Sequence, residues 1–317
     1  MSLGLPPQAS TMAPKVDALF YAVTGVTAAV ALAVFVTLIF FAIRYRSGSK
    51  APRIEDVPAA QARLRNRVEV AWAAIPLLLF FAAFGWAGRL YLERSVPPAN
   101  AMAVFVVAKQ WMWKAEHGGG QREIDELHVP LNQPVRLVMT SQDAIHSFFV
   151  PAFRVKQDVL PGRYTEIWFT PTQLGRFHLF CAEYCGTGHS RMGGDIVVLS
   201  PAQFEQWLTA HGGAPDMAAR GEALFRQYGC SGCHGANAVV HAPDLAGIYG
   251  KPVPLADGST VVADDRYIRD SILLPQRDVA AGYAPIMPSF AGQLGDEEVF
   301  DLIAYIKSLG NVAEPRK

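Results

Sequence analysis

The chain has 317 residues, enough for two or three domains rather than one. Lys plus Arg and Asp plus Glu balance at 28 each, so the net charge is zero, which argues against the basic excess of a nucleic-acid binder. A mean hydropathy of +0.17 is high for a soluble protein, and the excess sits in two runs near the N-terminus.

The first run, Ala18 to Ile43, holds 26 residues without a charge. As a helix it would be roughly 39 Å long, more than a hydrocarbon core needs. The second, Val70 to Gly88, holds 19 residues and contains Pro76, which a membrane helix tolerates better than a soluble one. The runs' length without a charge and their lack of a polar face argue against buried core helices, and a cleaved signal would be shorter and follow a more basic start than the single Lys15. The two runs predict a transmembrane hairpin over residues 1–96, with helices at about 16–44 and 68–93. Arg44, Arg46, Lys50, Arg53, Arg63, Arg65 and Arg67 crowd the connector, against Lys15, Arg89 and Arg94 on the outer flanks. The connector is therefore expected in the cytoplasm and everything after about Tyr91 outside.

Residues 97–210 read as all-β. Ala103–Val107, Val135–Thr140, Glu166–Thr170 and Asp195–Leu199 are short strand-like runs bounded by turn residues, and Gly118-Gly119-Gly120 reads as a hairpin tip. Such spacing predicts a sandwich or barrel. A short helix over Phe204–Ala210 and a linker over 211–215 follow. Residues 216–317 read as helical, with helices over Met217–Tyr228, Asp264–Leu273 and Asp296–Leu309 separated by Gly- and Pro-rich loops. A small helical domain with so much loop is expected to hold something large in its core.

All four cysteines fall in two motifs. The first is Cys181-Ala-Glu183-Tyr-Cys185-Gly-Thr-Gly-His189-Ser-Arg-Met192. Two thiols, an imidazole and a thioether at short spacing form a soft ligand set suited to copper, with His146 as the candidate from elsewhere in the chain. A structural zinc site would not need Met192, and a mononuclear blue-copper site would not need the second cysteine. A free thiol pair in a core would leave His146, His189 and Met192 unexplained. The second motif, Cys230-Ser-Gly-Cys233-His234, is the attachment pattern for c-type haem, with His234 as proximal ligand. For the distal ligand Met287 is favoured; His241 lies only seven residues beyond His234, and Met217 precedes the attachment helix.

The first motif, together with Lys109-Gln110-Trp111-Met112-Trp113 and Val155-Lys156-Gln157-Asp158-Val159-Leu160-Pro161-Gly162-Arg163, resembles cytochrome c oxidase subunit II from the first apolar helix to about Leu199. The resemblance implies a cupredoxin-like barrel with a dinuclear copper (CuA) centre. Cys181 and Cys185 would bridge both coppers and His146 and His189 bind one each. Met192 and the Glu183 carbonyl would be weak ligands, and the Glu183 side chain would reach a magnesium site shared with the large subunit. It also implies that electrons from a cytochrome come in at Trp111, whose bland reading, with Trp113, is a packed strand face. Gly221, Phe225 and Tyr305 around the haem motif resemble the terminal-helix crossing of class I cytochromes c.

Taken together, these readings predict a multidomain membrane protein: a two-helix hairpin, a cupredoxin-like domain and an all-α cytochrome c domain. The resemblance implies the electron-accepting subunit of a bacterial inner-membrane oxidase. Its copper and haem would lie on the periplasmic side, beside subunit I (haem a-type and CuB) and subunit III. Electrons from a donor would pass through haem c and copper to dioxygen reduction and proton pumping in the large subunit. A nitrogen-oxide reductase component and a membrane-tethered electron carrier are the alternatives; quinol oxidase subunits lack the copper ligands. Glu69, by itself an ordinary helix-end carboxylate, matches the glutamate at the mouth of the family's proton pathway.

Overall fold

The computed structural model describes residues 4–51, 59–212, 215–235, 238 and 240–310. Arg53 of the connector, Gly213 and Ala214 of the linker, and 311–317 lie outside the described residues. Residues 11–96 form one compact unit, and 1–10 with 97–317 form another.

The first unit is a hairpin of α1 (Ala13–Arg44) and α2 (Ala59–Ser95). Pro14 in the first turn of α1 is pre-set for a helix start, so α1 begins earlier than the apolar run alone suggests. Helix α2 also begins before its apolar run, because Ala-Ala-Gln-Ala-Arg-Leu-Arg is built of strong helix formers. The apolar windows of both helices bury none of their residues within the protein, as lipid-facing helices would. Lys15 pairs with Glu93.

The second unit opens its β-rich part with β1 (Met102–Lys109), β2 (Met112–His117), β3 (Arg122–Ile124), β4 (Glu126–Pro130) and β5 (Val135–Ser141). β6 (His146–Val150), β7 (Val155–Val159), β8 (Thr165–Phe169), β9 (Gly175–Cys181) and β10 (Gly193–Leu199) complete it. They make two five-stranded sheets, ordered β3-β2-β1-β5-β8 and β4-β10-β9-β6-β7. The expected β domain is thus a sandwich, and Gly118–Gly120 turns β2 into β3 as expected. Its core lies between the sheets, where Val104, Val106, Leu137, Met139, Phe148, Phe153, Phe169 and Ile196 are buried. Helix α3 (Pro201–Ala210) follows, started by a Ser200–Gln203 capping box.

The helical part contains α4 (Met217–Gln227), the single turn α5 (Ser231–His234), α6 (Asp265–Leu273) and α7 (Asp296–Ser308). Asp216 and Asp264 cap α4 and α6 through their side chains. It is not wholly helical: β11 (Pro252–Pro254) and β12 (Thr260–Val262) pair antiparallel. Their few residues and two prolines gave no alternating pattern to read.

Helices α4 and α7 cross where Gly221 has no side chain. A Cβ there would lie 2.0 Å from the Asp301 carbonyl oxygen and 2.8 Å from the Tyr305 Cβ. Phe225 and Tyr305 close the crossing with ring centroids 5.2 Å apart. The expected Gly–aromatic crossing is therefore present, and its reason is steric.

Strand β1 is buried on both faces. Val104, Val106 and Ala108 point into the sandwich, whereas Phe105 and Val107 join Val138, Tyr164 and Phe300 in a second cluster shared with the helical part. The near-continuous apolar text of β1, Met-Ala-Val-Phe-Val-Val-Ala, fits a strand covered on both sides.

Candidate functional site

The first cluster gathers at one end of the sandwich. Cys181 ends β9, Cys185 and His189 follow on the loop, Met192 sits just before β10, and His146 opens β6. The Cys181 and Cys185 sulfurs are 3.8 Å apart. Cys185 Sγ lies 3.5 Å from His189 Nδ1 and 3.6 Å from Met192 Sδ, and His146 Nδ1 lies 3.1 Å from Met192 Sδ and 3.9 Å from Cys181 Sγ. The Glu183 carbonyl oxygen is 3.2 Å from Cys181 Sγ, while the Glu183 side chain is exposed. All five side chains named from the sequence, and the one carbonyl, therefore converge. His146 is fully buried, and Cys181, Cys185 and Met192 nearly so.

Two features orient this cluster. His146 Nε2 donates to Asp143 at 2.8 Å, which leaves Nδ1 as the free lone pair facing the sulfurs. Asp143 is itself held by the Gln110 and Ala144 amides at 2.7 and 2.6 Å. Burial would raise the Asp143 carboxyl, but these hydrogen bonds hold it below the usual carboxylate range. Sequence reading gave Asp143 no role, although an Asp three residues before a ligating His is the available signal. The loop is also shaped by Trp111: a Cβ on Gly188 would lie 2.4 Å from its ring, and its Nε1 faces the Cys185 carbonyl at 3.3 Å. Gly186 adopts φ +115°, a backbone that favours glycine.

Electrostatically the thiols are unlike. Burial alone would raise Cys181, but its contacts with His146 and the Glu183 and Ser147 backbones bring it down to about 6. Burial and the neighbouring Cys181 charge push Cys185 up to about 12. A bound cation relieves this conflict by taking both as thiolates. Two thiols, two imidazoles and a thioether are a soft donor set, and they fit copper.

The second site is a cavity of about 290 Å³ in the helical part. Cys230, Cys233 and His234 stand on one wall, Met287 lines it too, and Leu302 and Ile306 of α7 add apolar surface. His234 Nδ1 donates to the Pro243 carbonyl at 2.9 Å, so Nε2 is left to bind iron. The donors and the apolar lining fit a covalently attached haem. His241 also lines the cavity, stacked on Tyr283 at 4.7 Å. Met217 is buried in the helical core and is not among the residues lining the cavity.

Trp111 is over a third exposed. Glu69 lies in α2, 3.6 Å from Arg65, with both side chains well exposed.

Comparison with known proteins matches these two regions. Residues 105–200 match the cytochrome c oxidase subunit II periplasmic domain, and residues 218–310 match cytochrome c. The chain is 26% identical over 301 residues to cytochrome c oxidase subunit 2 of Alkalihalophilus pseudofirmus, covering 90% of this chain and 84% of that protein. It is 28% identical over 255 residues to cytochrome c oxidase subunit 2 of Cereibacter sphaeroides, covering 68% and 82%. Among solved structures, the periplasmic domain of subunit II of cytochrome oxidase (CoxB) of Bradyrhizobium japonicum is 30% identical. That match covers 37% of this chain and 96% of that one, with a TM-score of 0.35. The subunit II domain implies copper and the cytochrome c domain implies haem c, in agreement with the two donor sets. The chain belongs to the cytochrome c oxidase subunit II family, with a cytochrome c domain as its C-terminal part.

Proposed function

We propose that this chain receives electrons for a haem–copper oxidase through haem c and a dinuclear copper centre. The observation that carries the reading is the convergence of two cysteine sulfurs 3.8 Å apart with two imidazoles and a thioether, in a chain that also builds a haem cavity. Two sulfurs at that spacing can each bridge a metal pair. Cys181 and Cys185 would bridge, His146 and His189 would take one copper each, and Met192 and the Glu183 carbonyl would complete the two ions. The exposed Glu183 side chain is free to share a magnesium ion with a large subunit. Cys230 and Cys233 would anchor haem c between His234 and Met287.

Bound there, the two groups would supply one-electron transfer chemistry, from a donor through haem c and copper towards the haem of the large subunit, the site proposed for dioxygen reduction and proton pumping. The chain's own part is to hold and tune them. Asp143 fixes the His146 ring, the Pro243 carbonyl fixes His234, and the apolar walls exclude water.

The reading divides the chain into a membrane hairpin over 1–96, a copper domain over 97–210, a linker over 211–215 and a cytochrome domain over 216–317. The positive charge of the connector supports a cytoplasmic connector, with both metal domains in the periplasm of a bacterial inner membrane. Ala9 and Ser10, just ahead of α1, hydrogen-bond to Ala152 and Phe153 of the sandwich, which supports an N-terminal flank on that same side. Subunits I and III would complete the complex, with Trp111 as the point where a separate donor docks and Glu69 at the mouth of a proton pathway.

The test is purification from membranes through a tag on this chain. A haem–copper large subunit should come with it, together with two coppers and one covalent haem per copy of this chain. One copper per chain, or no large subunit, would overturn the reading; nitric oxide reduction by the purified complex would assign it to the reductase alternative.

A further inference from the structure

The cytochrome domain rests on the outer face of the β3-β2-β1-β5-β8 sheet through a built interface. Phe105, Val107, Val138 and Tyr164 of the sandwich are each less than a tenth exposed and pack with Phe300 of α7. The Phe300 ring lies 4.8 Å from Phe105 and stacks on Tyr164 at 4.7 Å. Three ion pairs cross the rim: Lys114 with Glu297 at 2.9 Å, Arg136 with Asp265, and Arg220 with Glu116. Two of the three anchors are braced on the cytochrome side. Arg220 also donates to Asp301, and buried Asp265 also accepts from Tyr249 at 3.0 Å and pairs with Lys307 at 2.5 Å.

The signs alternate on the sandwich, with Lys114 and Arg136 positive and Glu116 negative, so a shifted or reversed dock would oppose like charges. An apolar centre with braced charges at its edge defines one register rather than a loose encounter. On its other side α7 sends Leu302 and Ile306 into the haem cavity. The helix that lines the cavity is therefore the helix fastened to the sheet.

We propose that the cytochrome domain works from this fixed dock, so that Arg220, Asp265 and the Lys114–Glu297 pair, and not the length of the linker, set its separation from the copper centre. These are positioning residues. The proposal rests on the reading that haem c reduces copper: one electron leaves reduced haem c and is taken up by the oxidised copper pair, with no bond or proton exchanged. A dock and a tether differ in a measurable way. For a freely tethered donor the effective concentration falls with roughly the −3/2 power of linker length, so trebling a short linker slows transfer about fivefold. A docked donor is indifferent to it.

The test uses the full chain in the assembled oxidase. Zero-length carbodiimide coupling should join Lys114 to Glu297 as an amide, identified by peptide mass spectrometry. Insertion of ten Gly/Ser residues after Gly212 should leave haem-to-copper transfer within twofold of the unaltered chain. K114E alone should weaken the dock, read as faster hydrogen exchange in β1 and β5, and K114E/E297K should restore protection by re-pairing the charges. A fivefold loss on lengthening the linker, or absence of the cross-link, would overturn the dock. A cross-link with no copper reduction by haem c in the unaltered chain would instead overturn the electron-transfer reading, and this proposal with it.

Discussion

Cys185 is the side chain on which most of the copper site leans, since its sulfur touches Cys181, His189 and Met192. Replacing it by Ser removes a soft donor atom that oxygen does not reproduce. C185S should abolish the mixed-valence copper signal in electron paramagnetic resonance while covalent haem is retained; two coupled coppers in the variant would refute the ligand assignment. Met287 is the corresponding test for haem: M287A should lose the sulfur–iron absorption band with the haem still attached, and an unchanged band would point to another sulfur ligand such as Met217. Glu123 matters for stability. Burial works against its charge, but hydrogen bonds from His117 at 2.9 Å and His128 at 2.5 Å bring its carboxyl down to about 2. A depressed acid stabilises the fold above its unfolded value near 4.5, and that contribution, about 3 kcal/mol, is lost as pH falls from there to about 2. E123Q should flatten this acid limb, followed by fluorescence of Trp207, which stacks on His128 at 4.7 Å. An acid limb unchanged in E123Q would show that other groups govern it. The copper loop was legible because its ligands sit within twelve residues, Cys181 to Met192. Asp143 was not, because an Asp that orients a ring looks like any turn residue until the ring is placed.

At the scale of elements, length and period carried most of the information. Two long uncharged runs are legible as helices long and apolar enough to cross a membrane, and α4, α6 and α7 begin and end close to the ranges read from the sequence. The start of α2 was missed because helix propensity continues beyond the membrane segment, where hydropathy no longer reports it. The double burial of β1 was also missed. Its unbroken apolar run predicts a strand but does not say what covers the second face, which is a partner distant in sequence. Glu69 belongs to this scale, because its meaning depends on where α2 lies. Its exposed pair with Arg65 is worth little by itself. If Glu69 stands at the mouth of a proton pathway, E69A should slow steady-state dioxygen consumption several-fold while donor reduction of haem c and copper stays fast. Normal turnover across pH would return Glu69 to the role of a helix-end charge, and slow copper reduction would show that its effect lies elsewhere.

For the whole molecule, fusing a cytochrome to a copper domain changes both parts. A sandwich with one free sheet face normally shows polar residues there. This one presents Phe105, Val107, Val138 and Tyr164, which are buried only because the cytochrome domain lies on them. Each such side chain is stabilised by about 1.5–3 kcal/mol when covered. Arg136 and Glu116 would likewise lose Asp265 and Arg220, although Glu166 and Arg122 remain beside them. Ending the chain after His211 should therefore have two effects where a simple tether predicts one. The oxidase should come to depend on added soluble donor, measured as a rise in the donor concentration needed for half-maximal turnover. It should also lose thermal stability in the copper domain and gain a tendency to self-associate, measured by the unfolding midpoint and by light scattering. The two effects can be separated, because V107T in the truncated chain should ease association without altering donor dependence. Equal turnover with the same donor before and after truncation would show that electrons do not normally arrive through the fused haem. An unchanged unfolding midpoint would show that the copper domain does not lean on its neighbour, and that the apolar face of β1 is tolerated in water.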